Sequence, residues 1–63
     1  MPWVETNRAN VVSRLEGEGW VCEGGGKHDK FSHPTRSGKI AVPRHRILTT
    51  GVARDIAKKA GWL

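Results

Sequence analysis

The spacing of apolar residues changes along this chain, and this change most limits the folds that the chain can adopt. Near both ends, apolar residues recur at about every third or fourth position, which is typical of a helix with one buried face. In the middle, residue types alternate, which is typical of a strand with one buried face. The order predicts an α+β fold, α-β-β-β-α, with two helices packed on one face of a three-stranded antiparallel sheet.

The first helix is predicted over residues 7–18. Thr6 and Asn7 are both residue types that cap helix starts, because their side-chain oxygens accept hydrogen bonds from backbone amides of the first turn. Gly19 can adopt the left-handed conformation that commonly follows a helix end. We therefore expect the chain to leave the helix at this glycine.

A second helix is predicted after Thr49 or Thr50, either of which can cap its start. Five apolar residues then share one face of the helix: Val52, Ala53, Ile56, Ala57 and Ala60. Gly61 is placed to end the helix, and Trp62 or Leu63 is expected to fold back as the apolar contact of this ending.

The middle of the chain is predicted to form three strands, over residues 20–23, 27–33 and 39–42. Phe31 marks the inward face of the second strand. Because strand side chains alternate, His28 is then expected to point toward solvent. Pro43 has no backbone N–H to donate and is expected to end the third strand.

Cys22 is the only cysteine, so the chain cannot form an internal disulfide. Small secreted domains usually contain several disulfides, so we expect a cytosolic protein. Cys22 itself is expected to be a small buried residue of the first strand. Its spacing to the three histidines matches no zinc motif, and we predict no metal and no other cofactor.

The length and the charge limit the classes of function. A chain of 63 residues makes one small domain, over residues 1–63, so any active site is expected on the surface. No run of about 18 apolar residues occurs, which excludes a transmembrane helix, and the N-terminus lacks the apolar core of a signal peptide. Residues 32–63 carry seven basic side chains and one acidic one, whereas residues 1–31 have a net charge of −1. This asymmetry favours a polyanionic partner, with nucleic acid preferred over a membrane.

Five segments resemble, in their order and spacing, those of the HicA family of bacterial toxins. They are Leu15–Trp20, Gly26–His28, Phe31 with His33–Pro34, Val42–His45, and Gly51 with Ile56 and Ala60–Gly61. HicA toxins share their element order with double-stranded RNA-binding domains and are mRNA interferases neutralised by HicB antitoxins. The resemblance implies a metal-independent endoribonuclease that cleaves mRNA in the bacterial cytoplasm and forms a hetero-oligomer with a HicB-like antitoxin.

The resemblance also implies a catalytic residue. The family's catalytic histidine follows Gly-Ser, and His28 stands in that place, with Lys27 replacing the serine. A surface histidine suits cleavage of RNA, because it can exchange a proton with the ribose 2′-hydroxyl or the leaving oxygen near neutral pH. Five cations are predicted to bind the RNA: Lys27, Lys30, Lys39, Arg44 and Arg46. Lys39 could lie across the hairpin from His28.

The other two histidines are expected to have different roles. His33 is expected to be packed beside Phe31 and hydrogen-bonded. His45 is a second candidate for proton transfer, although a local hydrogen bond or a phosphate contact is preferred. Of the tryptophans, Trp20 and Trp62 are expected in the core, and Trp3 could be free, packed or at a partner interface.

Two other functions are compatible with the residues. One is a non-catalytic RNA-binding module with the fold of a double-stranded RNA-binding domain. In such domains basic residues cluster at the start of the last helix, whereas here Arg54, Lys58 and Lys59 are spread along it. The other is an interaction module for an acidic protein, with no role in RNA binding.

Overall fold

The structure is a computed structural model that describes residues 4–63; Trp3 lies outside this range. Five elements follow each other: α1 (Arg8–Gly17), β1 (Val21–Gly24), β2 (His28–Ser32), β3 (Ile40–Pro43) and α2 (Thr50–Ala60). The strands form one antiparallel sheet in the order β1-β2-β3. The predicted α+β class and the α-β-β-β-α order are confirmed.

Both helices begin and end at the predicted signals. Asn7 caps α1 and Thr49 caps α2, each through a side-chain oxygen that accepts a first-turn amide at 3.3 Å. Gly19 and Gly61 have left-handed φ angles of 97° and 83°. The tryptophan after each glycine donates its backbone N–H to the carbonyl five residues earlier, at 3.0 Å after Gly19 and 2.7 Å after Gly61. Each helix therefore ends in a Schellman motif.

The core lies between the helices and one face of the sheet. The sheet contributes Phe31, Ile40 and Val42, each at most 1% exposed. The other core residues come from the helices and their flanks: Val11, Leu15, Trp20, Leu48, Ala53, Ile56 and Ala60. Burying one large apolar side chain stabilises the fold by about 1.5–3 kcal/mol. The opposite face of the sheet is left open to solvent.

The predicted burial of Cys22 is wrong, because its side chain is exposed. Cys22 is paired with Phe31 across β1 and β2, so the two side chains lie on the same face of the sheet. However, β1 is an edge strand, and the burial of Phe31 does not extend to it. Alternation predicts the face on which a residue lies, but not how far the helices cover that face.

The segment before α1 pairs with the connection between β3 and α2, a contact that was not predicted. The Leu48 N–H donates to the carbonyl of Thr6 at 2.8 Å, and the Arg8 N–H donates to the carbonyl of Arg46 at 3.0 Å. These hydrogen bonds bring the start of α1 next to the basic segment that follows β3.

Candidate active site

His28 is the first residue of β2, and its side chain is exposed on the open face of the sheet, as alternation from Phe31 predicts. Its Nδ1 lies 2.9 Å from the backbone oxygen of Lys27. A carbonyl can only accept a hydrogen bond, so Nδ1 is the donor. The neutral ring then has its lone pair on Nε2, for which residues 4–63 provide no hydrogen-bond partner. This nitrogen is free to accept a proton from a substrate.

Asp29 follows His28 in sequence but lies on the other face of β2. Its Oδ1 accepts from Arg44 Nη2 at 2.9 Å, and its Oδ2 forms an ion pair with Arg8. The hydrogen bonds from Arg44, together with the charges of both arginines, hold the pKa of Asp29 below its usual value against an opposing effect of desolvation. The carboxylate is therefore charged at neutral pH and is neutralised by two guanidinium groups.

Arg44 also holds the turn that precedes His28. Its Nη2 donates to the carbonyl of Gly25 at 2.9 Å, so one guanidinium group links the end of β3 to the turn between β1 and β2. The turn approaches β2 closely. A Cβ on Gly25 would lie 2.3 Å from the carbonyl oxygen of His28, and the φ angle of Gly25 is 150°. A side chain at this position would displace the start of β2, so glycine is required here.

Three of the predicted RNA-binding cations are lysines, and the sheet register separates them. Lys27 and Lys30 are exposed near His28, with Lys30 two residues farther along the same face of β2. Lys39 is at the other end of the sheet, because Phe31 pairs with Ile40 and Lys39 precedes that pair. Its Nζ lies 2.9 Å from a carboxylate oxygen of Glu23 on β1. The structure therefore does not bring Lys39 across from His28.

The two predicted arginines meet a third one that the sequence did not indicate. Arg8, Arg44 and Arg46 line an open groove of about 390 Å³ together with Asn7 and Ala9, which we name the arginine groove. Arg8 is held in place by its Nε, which donates to the carbonyl of Pro43 at 2.8 Å. Arg8 lies 35 residues before Pro43, and the two meet where the start of α1 pairs with the connection after β3.

His33 and His45 lie in contrasting surroundings. His33 donates from Nε2 to the carbonyl of Glu18 at 2.9 Å and accepts from the Thr35 N–H at Nδ1, at 3.1 Å. Its ring packs edge-on against Trp20, with 5.1 Å between centroids, so the predicted packed and hydrogen-bonded position is confirmed. His45 is exposed, and its ring forms no hydrogen bond within the described part of the chain, so the local hydrogen bond expected for it is not found.

A family model described as "HicA toxin of bacterial toxin-antitoxin" matches residues 8–62. The chain belongs to the HicA toxin family. The resemblance noted in the sequence is thereby confirmed, and the chain is a toxin of the toxin–antitoxin type, a class that implies an antitoxin partner. A search of curated proteins finds no match.

Two further features of this HicA-family chain bear on the site. None of the helices within residues 4–63 is long and apolar enough to cross a membrane. In the same range, no three side chains among His, Cys, Asp and Glu come together as metal ligands would. The ionisable groups that do converge at this end of β2 are Arg8, Asp29 and Arg44, on the face opposite to His28.

Proposed function

We propose that this chain is an endoribonuclease that cleaves mRNA, with His28 as its general acid or base. The observation that carries the proposal is the exposed imidazole at the start of β2, whose Nδ1 is bonded to the Lys27 carbonyl and whose Nε2 is open to solvent. A domain of this size buries too little surface for a deep cleft to be expected. It suits a reaction in which the substrate supplies the nucleophile, and RNA does so through its 2′-hydroxyl.

The proposed reaction needs one proton-accepting group and nearby positive charge. The 2′-oxygen attacks the adjacent phosphorus while its proton passes to Nε2 of His28. The bond from phosphorus to the 5′-oxygen breaks, and the leaving 5′-oxygen takes up a proton from water. The products are a 2′,3′-cyclic phosphate and a 5′-hydroxyl end. Proton transfer of this kind accelerates a reaction by about a hundredfold to ten-thousandfold. Lys27 and Lys30 are exposed near the ring and would stabilise the charge that develops on the phosphate.

The replacement of the family's serine by Lys27 is compatible with this role. The group that orients the His28 ring is the backbone carbonyl of Lys27, which any residue type supplies equally. The lysine side chain is therefore not needed for orientation and is available to contact the substrate. Its charge adds to the attraction for RNA beside the reacting phosphate.

The antitoxin is proposed to be a HicB-like protein that forms a hetero-oligomer with this chain. Arg44 and Arg46 are predicted to bind RNA and are separate from His28. An antitoxin that covers these two arginines would therefore exclude RNA without contacting the imidazole. A neighbouring reading frame for a HicB-like protein would support this pairing.

The test is a cleavage assay on a long mRNA in the presence of EDTA. We compare the wild type with His28→Ala and with the control His33→Ala, assayed well below its melting temperature, which removes a histidine whose two ring nitrogens are both bonded within the fold. We expect the wild type and the control to cut the RNA and leave cyclic phosphate ends, and His28→Ala to cut at least a hundredfold more slowly, as expected for loss of the general acid or base. Equal cutting by all three proteins would contradict the proposal. Salt-dependent binding to duplex RNA without cutting would instead support the non-catalytic alternative.

A further inference from the structure

The arginine groove concentrates positive charge at the same end of the sheet as His28, on the side toward α1. We propose that it binds a second phosphodiester of the RNA strand whose reacting phosphodiester lies at His28. This inference rests on the proposed function, since it assigns to the groove a second part of the same substrate. It adds Arg8 to the substrate-binding residues and gives Arg44 and Arg46 one shared ligand.

The arginine groove has an excess of positive charge. Three guanidinium groups line the groove, and the carboxylate in contact with them is that of Asp29, which pairs with Arg8 and Arg44. Two positive charges therefore remain uncompensated in this cluster. Glu5 accepts from the Asn7 N–H at 3.2 Å but does not line the groove. A phosphodiester, which has one negative charge and several acceptor oxygens, would compensate one of these two charges.

The arginine groove also has hydrogen-bond donors that are not used within the described part of the chain. Arg8 and Arg44 each use Nε and Nη2 in hydrogen bonds within the protein, which leaves both Nη1 groups without a partner among residues 4–63. The Arg46 side chain forms no hydrogen bond or ion pair in the same range. Because Asp29 already holds two of the three side chains in place, less conformational entropy is lost when they bind a ligand. Guanidinium groups are well suited to phosphate, since their planar N–H donors match its oxygens.

The position of the arginine groove in the sheet relates it to His28. His28 is paired with Pro43 across β2 and β3, and Arg44 is the next residue after Pro43. Directly paired residues on antiparallel strands have Cα atoms about 4.5–5.5 Å apart. His28 and the arginine groove therefore lie at the same end of the sheet, the imidazole on the open face and the arginines on the side toward α1. An RNA strand that passes round this end of β3 would contact both.

The lining also indicates which part of the RNA is bound. The described residues of the groove include no aromatic ring on which a base could stack; besides the arginines they are Asn7 and Ala9. Contacts to phosphate position a nucleic acid without reading its sequence. We therefore expect the groove to contribute affinity that is independent of base sequence.

The experiment measures binding of uncleavable RNA by fluorescence anisotropy. Oligonucleotides with 2′-O-methyl groups lack the nucleophile, so binding is observed without reaction. They are prepared with two, three and four nucleotides, in two different base sequences. The intact protein is compared with Arg46→Gln, with Arg46→Lys, and with the matched control Arg54→Gln, which removes an equal charge from the exposed side of α2.

We expect the wild type to gain affinity as the oligonucleotide lengthens, equally for both base sequences. Arg46→Gln should lose about tenfold in affinity for the longest oligonucleotide, as expected for one charge-assisted contact, and little for the shortest. The slope of log K against log salt should fall by about 0.7, corresponding to one lost phosphate contact on a single strand. Arg46→Lys should recover part of the affinity, because it restores the charge without the planar donors.

Two results would overturn the proposal. One is an equal loss in Arg46→Gln and Arg54→Gln, since net charge alone would then explain it. The other is a wild type whose affinity does not increase with length. Failure of the proposed function is distinguishable: if His28→Ala cuts RNA as well as the wild type, yet Arg46→Gln alone removes the gain with length, the groove stands and the catalytic role of His28 is rejected.

Discussion

The two ends of β2 each have a histidine, and the two rings have opposite surroundings. His28 begins the strand, with one nitrogen bonded to the adjacent Lys27 carbonyl and the other open to solvent. His33 follows the strand, and both of its nitrogens are bonded, to the Glu18 carbonyl and to the Thr35 N–H. A histidine whose second nitrogen is free can exchange a proton with a substrate, whereas one with both nitrogens bonded joins elements of the fold.

The two histidine rings also differ in the structural elements that they connect. His33 joins the end of α1 to the turn after β2 and packs against Trp20. The bond of His28 to Lys27 spans a single residue and connects no two elements. At the functional end of β2, the connections between elements are made instead by Asp29 with Arg8 and Arg44. Removal of His28 should therefore affect chemistry, and removal of His33 should affect stability.

The largest expected effect on stability is that of His33→Ala. This substitution removes two hydrogen bonds, each worth about 1 kcal/mol net, and an aromatic contact, so the free energy of unfolding should fall by about 2 kcal/mol. The melting temperature should fall by roughly 10 °C in a domain of this size. The matched variant His28→Ala should change the free energy of unfolding by less than about 0.5 kcal/mol, because its ring is exposed.

Urea and thermal unfolding of both variants measure this contrast. At a temperature well below its lowered midpoint, His33→Ala should still cut RNA, since its ring is not part of the proposed reaction. A larger loss of stability from His28→Ala than from His33→Ala would contradict the comparison.

Much of the fold could be predicted from the sequence because its signals are local. Gly19 and Gly61 follow apolar residues at helical spacing, so the helix ends could be placed within a residue or two. Alternation around Phe31 was enough to predict that His28 faces solvent. The exposure of Cys22 could not be predicted from local signals, because it depends on how far the helices cover an edge strand.

The candidate site was less predictable, because its contacts join distant parts of the chain. The Arg8 to Asp29 pair spans 21 residues, and the Arg44 to Asp29 pair spans 15. No spacing rule relates residues on a helix to residues on two strands before their packing is known. The position of Lys39 depended likewise on the register between β2 and β3, which the connection over residues 33–39 leaves open.

A second prediction concerns the helix end that His33 supports. Gly19 has a φ of 97°, and a Cβ there would lie 3.0 Å from Nε2 of His33. Gly19→Ala should therefore lower the free energy of unfolding by about 1–2 kcal/mol, because of backbone strain and a close steric contact with the His33 ring. Gly17→Ala is the matched control: its Cβ meets nothing within 4 Å, and it lies in the last turn of α1.

Gly17→Ala should raise the free energy of unfolding by about 0.5 kcal/mol, because alanine favours the helix and restricts the unfolded chain. The same chemical change, two residues apart, should then have opposite signs in urea unfolding. If both variants were stabilised, the left-handed end of α1 and its contact with His33 would not exist as described.

The smallest expected effect concerns the carboxylate at the functional end of β2. The pKa of Asp29 is lowered from 3.8 in the folded state, first by the hydrogen bonds from Arg44 and then by the charges of both arginines, against desolvation. A carboxyl group whose pKa is lower in the folded state than in the unfolded state stabilises the fold at pH values above its unfolded-state pKa. This contribution is lost as the pH falls through its folded-state pKa. Asp29→Asn should therefore be less stable than the wild type at pH 7, and the difference should shrink below about pH 4.

Asp55→Asn, which removes an exposed partner of Lys59 on α2, is the control and should differ little from the wild type. Urea unfolding between pH 2.5 and pH 7 measures the three curves. If the difference in free energy of unfolding between Asp29→Asn and the wild type stays constant down to pH 2.5, Asp29 stabilises this end of β2 through its shape rather than its charge. The charge balance assigned to the arginine groove would then have to be revised.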